Sequence, residues 1–285
     1  IRENYKNLKK FSDKSTNYLN ARAPDNATLS SITQLLLGKK IENIQVCGKN
    51  LCGNINNNKN ILLDTSENIF KISQKYGYKT ALVGWMHKYC IQYISNLDYC
   101  RSYSLYNNSS FYSAFSLLNP IYTNLILLPH HFPFGLLKNP VYTRLHHKNN
   151  VNVQEVSLKI IEQNKMNSIF LFAHYSIPHT PYLYKNKIFQ PIKNPFKKNI
   201  QNYKEQLIYV DKLFGELIEK IKEENKLNKS TIVLLSDHGL RNILEENELN
   251  HVPMIVYRGS NPKYQKISNM VKTEKILLSL IKNNL

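Results

Sequence analysis

The chain has no apolar run long enough to cross a bilayer, no internal repeat and no basic stripe, and each absence removes a class of protein. Its longest apolar stretch, Leu117 to Leu128, is broken by Asn119, Pro120 and Asn124 and falls short of the ~20 residues a membrane helix needs. The opening Ile1-Arg2-Glu3-Asn4-Tyr5-Lys6 lacks the apolar core of a signal peptide. Acidic residues are scarce: 20 Asp and Glu stand against 38 Lys and Arg, a formal charge of +18. Such an excess favours anionic partners, a phospholipid surface or an acidic glycan among them. It comes from Lys and Asn spread throughout, as in Asn56-Asn57-Asn58-Lys59-Asn60, with no Arg cluster or nucleic-acid module, so no nucleic-acid partner is expected. The four cysteines form two close pairs, Cys47 with Cys52 and Cys90 with Cys100, and neither has the Cys-x-x-Cys and His spacing of a zinc site. Local disulfides would fit the bacterial periplasm or cell exterior, although four reduced structural cysteines would look the same.

What is there is the chemistry of an α/β enzyme. A length of 285 residues suits one large domain, and residues 1–285 are read as a single unit. Thr231-Ile-Val-Leu-Leu is an apolar run without alternation, the pattern of a central parallel strand covered on both faces. It ends in Ser236-Asp237-His238-Gly239, where ligands of such sheets collect. Gly239 is expected to let the backbone turn, so that an adjacent carboxylate and imidazole point at one ion. Thr80 to Gly84, Ser168 to Ala173 and Val252 to Tyr257 read as further inner strands. Leu29, Ile32, Leu35 and Leu36 mark a helix stopped by Gly38, and Ile69, Phe70, Ile72 and Tyr76 a second ending at Gly77. A third spans Val151 to Gln163. Leu207, Val210, Leu213, Phe214, Leu217, Ile218 and Ile221 mark the strongest, and Lys272 to Lys282 closes the chain. Arg101 to His147 reads as an irregular aromatic excursion over the active face, and its segment from Tyr103 to Phe134 as shaping an acceptor pocket or touching a membrane surface, with plain core packing equally open. Strands alternating with helices predict a mostly parallel central sheet sandwiched between helices.

Three more segments put polar groups at strand ends or a helix start. Thr28 stands in the first turn of its helix, where free amides and the dipole favour an oxyanion, while Asp25 and Asn26 compete with it for the N-cap. His174 ends the Ser168 strand, and beyond it Pro178-His179-Thr180-Pro181 stiffens the loop that aims His179. His251 precedes the Val252 strand.

In order, Thr28 to Gly38, Gly84-Trp85-Met86-His87, Pro178-His179-Thr180-Pro181, Ser236-Asp237-His238-Gly239 and His251-Val252-Pro253 resemble the alkaline phosphatase superfamily, in its sulfatase and phosphoethanolamine-transferase branch. The resemblance covers nearly the whole chain. Sulfatases carry Cys-x-Pro-Ser-Arg with a Gly ten residues after the Cys, which is converted to formylglycine. Here that position is Thr28, which cannot be so converted, and Ile32 takes the place of the Arg. Relatives that transfer phospho-groups use threonine, so the resemblance implies Thr28 as nucleophile for phosphate esters, passing a phospho-substituent to a glycan or lipid, or to water. It implies Asp237, His238 and Thr28 as ligands of one divalent metal, zinc or manganese before magnesium. It implies His179 and His251 as contacts to the transferred or leaving group, and His87 and His174 as substrate-binding. Trp85 replaces a lysine beside His87. The family's other acidic ligand ends a first strand that precedes the Thr28 segment, and no apolar strand ending in an acid comes before Asp13 or Asp25. The expectation is a catalytic domain whose first strand lies upstream, in an extracytoplasmic protein tethered to a membrane by such a segment. Sulfate-ester hydrolysis and a catalytically inactive anion-binding domain are the alternatives.

Overall fold

The apolar stretches form strands as their composition predicts, and polar ones supply further strands that hydropathy hides. The computed structural model describes residues 4–56, 58–92, 97–103, 135–192, 194–197, 199–240 and 248–283. The chain runs through α1 (Lys6–Ser12), β1 (Thr16–Arg22) and α2 (Thr28–Leu37), then an antiparallel trio, β2 (Glu42–Cys47), β3 (Asn50–Ile55) and β4 (Asn58–Leu62). Next come α3 (Ile69–Lys75), β5 (Lys79–Trp85), α4 (Tyr89–Gln92), β6 (Tyr99–Tyr103), α5 (Gly135–Gln163) and β7 (Ile169–His174). A small hairpin, β8 (Tyr184–Lys185) with β9 (Ile188–Phe189), leads to α6 (Ile200–Glu223), β10 (Thr231–Leu235), β11 (His251–Arg258), β12 (Gln265–Ile267), β13 (Val271–Lys272) and α7 (Thr273–Asn283). Disulfides join Cys47 to Cys52 and Cys90 to Cys100, the two expected pairs.

One sheet is β6-β5-β7, parallel throughout, with Gly84 opposite His174. A second is β10-β11-β1-β12, with β13 also beside β1. In it β11 runs antiparallel to both β10 and β1, whereas β12 and β13 run parallel to β1. The α/β class and the mostly parallel pairing are as expected, with the sheet mixed rather than purely parallel. The reversed strand is β11, and it pairs with β1, a strand in a stretch read as a polar opening. The most buried side chains of β1 are Asn17 and Ala21, not a row of large apolar ones. Asn17 is satisfied locally: its amide donates to the Ser12 and Ser15 carbonyls, and its oxygen accepts from the Ser12 hydroxyl. A buried polar group so paired costs little.

Helices cover both faces. Leu35 and Leu36 of α2, Ile69 and Phe70 of α3 and Leu277 of α7 form one core with Leu82, against which Phe170 and Phe172 of β7 and Val233 and Leu235 of β10 pack. Burying each such side chain contributes roughly 1.5–3 kcal/mol. Elsewhere Val153 and Ile160 of α5 pack on Val83 and Trp85, and Phe11 and Phe214 pack on Tyr257. Asp211, fully buried in α6, accepts from the Leu8 amide at 2.7 Å and from the Asn7 side chain, clipping α1 to α6.

Two features depart from expectation. β10 has the composition of a central strand, yet it and β7 each end a sheet, and every residue of both keeps partial exposure, while β5 is buried from Thr80 onward. Further, Arg101 to Tyr103 belong to β6, and helix α5 begins at Gly135 rather than Val151. Its first half shows no apolar helical period because its inward face is polar: Thr143, His146, Asn149 and Asn150 are buried. The rest of the aromatic excursion, 104–134, lies outside the described residues.

Candidate active site

The site begins at the start of α2. Asp25 does not cap the helix; its carboxylate accepts from the Asn26 and Ala27 amides and closes the approaching loop. Ala27 is the N-cap and makes no side-chain bond, so Thr28, the first helical residue, keeps its hydroxyl free of capping. That hydroxyl lies 3.3 Å from Nε2 of His238. One turn on, buried Ser31 donates its hydroxyl to the Asp237 carbonyl and docks the helix on the turn after β10. Gly38 closes the helix in the left-handed region, φ 63°, its amide bonded to the Gln34 carbonyl.

The turn after β10 holds itself. Ser236 donates its hydroxyl to the His238 carbonyl at 2.8 Å. Gly239 is required by a close approach: a Cβ there would stand 2.6 Å from the Leu249 carbonyl oxygen. Nδ1 of His238 lies 2.7 Å from the Gly239 carbonyl. A carbonyl only accepts, so Nδ1 carries a hydrogen, and in the neutral ring Nε2 presents its lone pair. That nitrogen faces Thr28 Oγ1 and, at 3.7 Å, Oδ2 of Asp237.

Nε2 of His238 thus has two oxygens of different chemistry near it, the Thr28 hydroxyl at 3.3 Å and a carboxylate oxygen of Asp237 at 3.7 Å. For a tetrahedral ion with bonds of about 2.1 Å, neighbouring donors sit roughly 3.4 Å apart, and the measured spacings of 3.3 and 3.7 Å fit that frame. The backbone carbonyl on Nδ1 is the usual orienting partner of a metal-bound histidine. Among the described residues no group of three or more His, Cys, Asp or Glu is placed to share an ion, so the strong donors here are Asp237 and His238.

His87 follows β5 through Met86, whose φ of 91° turns the chain. Burial, seconded by repulsion from His174 and opposed by Asp237, brings its pKa down to about 4, and its Nε2 is buried without a partner. It is a neutral imidazole beside an anionic group. Trp85, in the place of the family's lysine, is buried and donates to Asn150, so it brings no charge. His174 pairs through Nδ1 with the hydroxyl of Tyr89 at 2.7 Å; burial lowers its pKa, against the pull of Asp237. His179 is exposed, its Nδ1 donating to the Thr180 carbonyl at 2.6 Å. His251 is the first residue of β11 rather than a residue before it, and its Nε2 donates to the Leu19 carbonyl at 2.9 Å. Among the described residues no hydrogen bond or ion pair joins His251 to Thr28, Asp237 or His238. Sequence reasoning missed Ser31, one helical turn from Thr28 and so within its reach, and Tyr89, which no motif marks.

A helix-start hydroxyl facing a carboxylate and an imidazole at a strand end, on an α/β sandwich, is the arrangement of the alkaline phosphatase superfamily. The sulfatase family model matches residues 1–281, and the chain belongs to the sulfatase family, hydrolases of that superfamily. No curated protein sequence matches it. Among solved structures, it is similar to Ps i-CgsB in complex with k-i-k-neocarrahexaose, with a TM-score of 0.68 and 16% identity over 99% of this chain and 67% of that one. It is also similar to a protein in the alkaline phosphatase superfamily from Vibrio parahaemolyticus, TM-score 0.60 and 14% identity over 96% and 60%. A third is the phosphonate monoester hydrolase SpPMH from Silicibacter pomeroyi, TM-score 0.62 and 13% identity over 98% and 68%. The chain thus spans between 60% and 68% of the length of these structures.

Proposed function

We propose that this chain carries a metal-assisted phosphoesterase or phospho-group transferase site in which Thr28 is the nucleophile. The observation that carries the reading is the Thr28 hydroxyl, unused as a cap at the first position of α2 and 3.3 Å from an imidazole nitrogen whose other nitrogen is tied to a carbonyl. Asp237, His238 and Thr28 would hold one divalent ion, zinc or manganese by the character of the donors. When bound, it supplies positive charge that favours the alkoxide form of a coordinated hydroxyl. Thr28 Oγ bonds to phosphorus as the bond to the leaving oxygen breaks, and the leaving alcohol departs with the hydroxyl proton. Water or an acceptor hydroxyl then attacks the phosphothreonine, restoring Thr28 and releasing the phosphorylated product. The first amides of α2 face the group's oxygens; neutral His87 and His174, with exposed His179, complete its surroundings.

The substrate we infer is a phosphorylated glycan or lipid, on the strength of the site's chemistry, a neighbour solved with a neocarrahexaose and another named a phosphonate monoester hydrolase. Two disulfides support an extracytoplasmic setting, and a membrane-tethered protein remains our reading. We further infer that a strand ending in an acid sits between β7 and β10 and adds a third strong ligand. The support is that both strands are apolar, partly exposed, packed on the same core and, among the described residues, paired on one edge alone.

Sulfate-ester hydrolysis is the second reading, favoured by the family match. Turnover of bis(4-nitrophenyl) phosphate and of 4-nitrophenyl sulfate with added zinc or manganese separates the two. Phosphodiester turnover with a phospho-adduct trapped on the Thr28 peptide is expected. Sulfate turnover alone sinks the threonine mechanism, and no turnover of either, with no metal retained even when the upstream sequence is included, favours the inactive anion-binding domain.

A further inference from the structure

Tyr89 lies outside every motif of the sequence, yet it is among the most buried large side chains, 1% exposed, and its hydroxyl meets a site histidine. It sits on the four-residue helix α4, two residues beyond His87. Its ring lies edge-on to His87, centroids 5.7 Å apart at 85°, and edge-on to His174 at 5.8 Å and 82°. One aromatic ring thus braces both imidazoles of the β5-β7 side.

Two features hold it there. Gly84, opposite His174 in the ladder, leaves room for the ring: a Cβ at Gly84 would stand 2.8 Å from Tyr89 Cε2 and 3.3 Å from His174 Cβ. The next residue, Cys90, is bonded to Cys100 on β6, itself paired with Leu82 on β5. Tyr89 is therefore fixed by a missing side chain on one strand and a covalent staple to its neighbour.

A neutral imidazole has one N–H and one lone pair, and the partner of one nitrogen decides which is which. We propose that Tyr89 is a positioning residue: its hydroxyl donates to Nδ1 of His174 and holds the imidazole hydrogen on Nε2, while its ring fixes the tilt of His87. This deepens the proposed function and rests on His174 and His87 serving the same reaction. The Trp85 backbone carbonyl also accepts from this ring, so an imidazole kept in one tautomer holds its place beside the transferred group and costs no reorganisation during the reaction. The phenol is suited to the task because its O–H can donate to the lone pair of an imidazole nitrogen.

The test is Tyr89→Phe in the intact protein, which removes one oxygen and keeps the ring. Histidine labelled with nitrogen-15, assigned with His174→Gln, reports the tautomer directly. In the unaltered protein His174 is expected to show a protonated Nε2 and an unprotonated Nδ1. In Tyr89→Phe the two nitrogens should move toward the averaged shifts of mixed tautomers, with the melting temperature nearly unchanged. Turnover of bis(4-nitrophenyl) phosphate should then fall about tenfold in kcat with KM little altered. Gly84→Ala, which displaces the ring but keeps the hydroxyl, should produce the same tautomer change. An unchanged nitrogen pattern in Tyr89→Phe, or a hydrogen on Nδ1 in the unaltered protein, overturns the proposal. Absence of turnover in the unaltered protein counts against the proposed function alone, since the nitrogen shifts still decide the role of Tyr89.

Discussion

The two sheets meet the site with opposite chemistry. The parallel β6-β5-β7 sheet delivers His87 and His174, both held below the ordinary imidazole range by burial and so neutral. The mixed sheet delivers Asp237 and His238 from β10, and β1 leads into Thr28. One side thus supplies neutral polar groups in fixed orientation and the other a carboxylate, a lone pair and a hydroxyl. An enzyme handling an anion beside a cation has reason to keep these apart. Extra positive charge on the first side would repel the metal, and extra negative charge would repel the substrate.

The largest effect is expected at the charged side. Asp237→Asn keeps the shape and removes the anion, so retained metal should fall to background and turnover should drop on the order of ten-thousandfold. Metal analysis after gel filtration, together with phosphodiester assays, checks it; a variant that still retained stoichiometric metal would make Asp237 something other than a ligand. Thr28→Ala comes next, with a loss of at least about a thousandfold, whereas Thr28→Ser should keep activity within about tenfold because the oxygen survives. Equal loss in both would mean that the methyl group, not the oxygen, matters.

The neutral side should answer to pH instead. His146 of α5 is 3% exposed, stands edge-on to Trp85 at 4.3 Å, and is brought to about pKa 3 by burial, with His179 adding repulsion. Its folded pKa lies below the unfolded 6.5, so the folded state binds fewer protons between those values. The stability it contributes is complete above pH 6.5 and is lost as pH falls toward 3, on the order of 5 kcal/mol over the whole span. Melting temperatures from pH 7 to 4.5 should decline, and His146→Phe should flatten that decline. An unchanged slope would show that His146 is not the group responsible.

The same division explains what the sequence disclosed. The strands β5, β7 and β10 and the helices α2, α6 and α7 were legible because apolar residues recur at the period of the element, and Thr28, Asp237 and His238 because they sit at element ends where ligands gather. β1 and the first half of α5 were hidden, since their buried positions are Asn17 and Ala21 in one and Thr143, His146, Asn149 and Asn150 in the other. Hydropathy cannot see a buried polar face. The trio β2-β3-β4 was hidden for the opposite reason: β4 is exposed along its length and carries no inward pattern. Tyr89 was invisible because its role depends on a space left by Gly84, five residues earlier and on another element.

The smallest effect is expected at His251. The motif order makes it a contact to the transferred group, but its Nε2 hydrogen is already given to the Leu19 carbonyl, its side is exposed, and it lies opposite Arg22 on β1. Reaching a substrate with that nitrogen would mean breaking a bond that helps pair β1 with β11. An exposed hydrogen bond of this kind is worth about 0.5–1.5 kcal/mol, so His251→Ala should lower the melting temperature by a few degrees and leave kcat/KM within about twofold. A tenfold loss with no change in melting would show that β11 closes on the substrate during turnover, and the mixed sheet would then supply an imidazole contact as well as the proposed metal ligands.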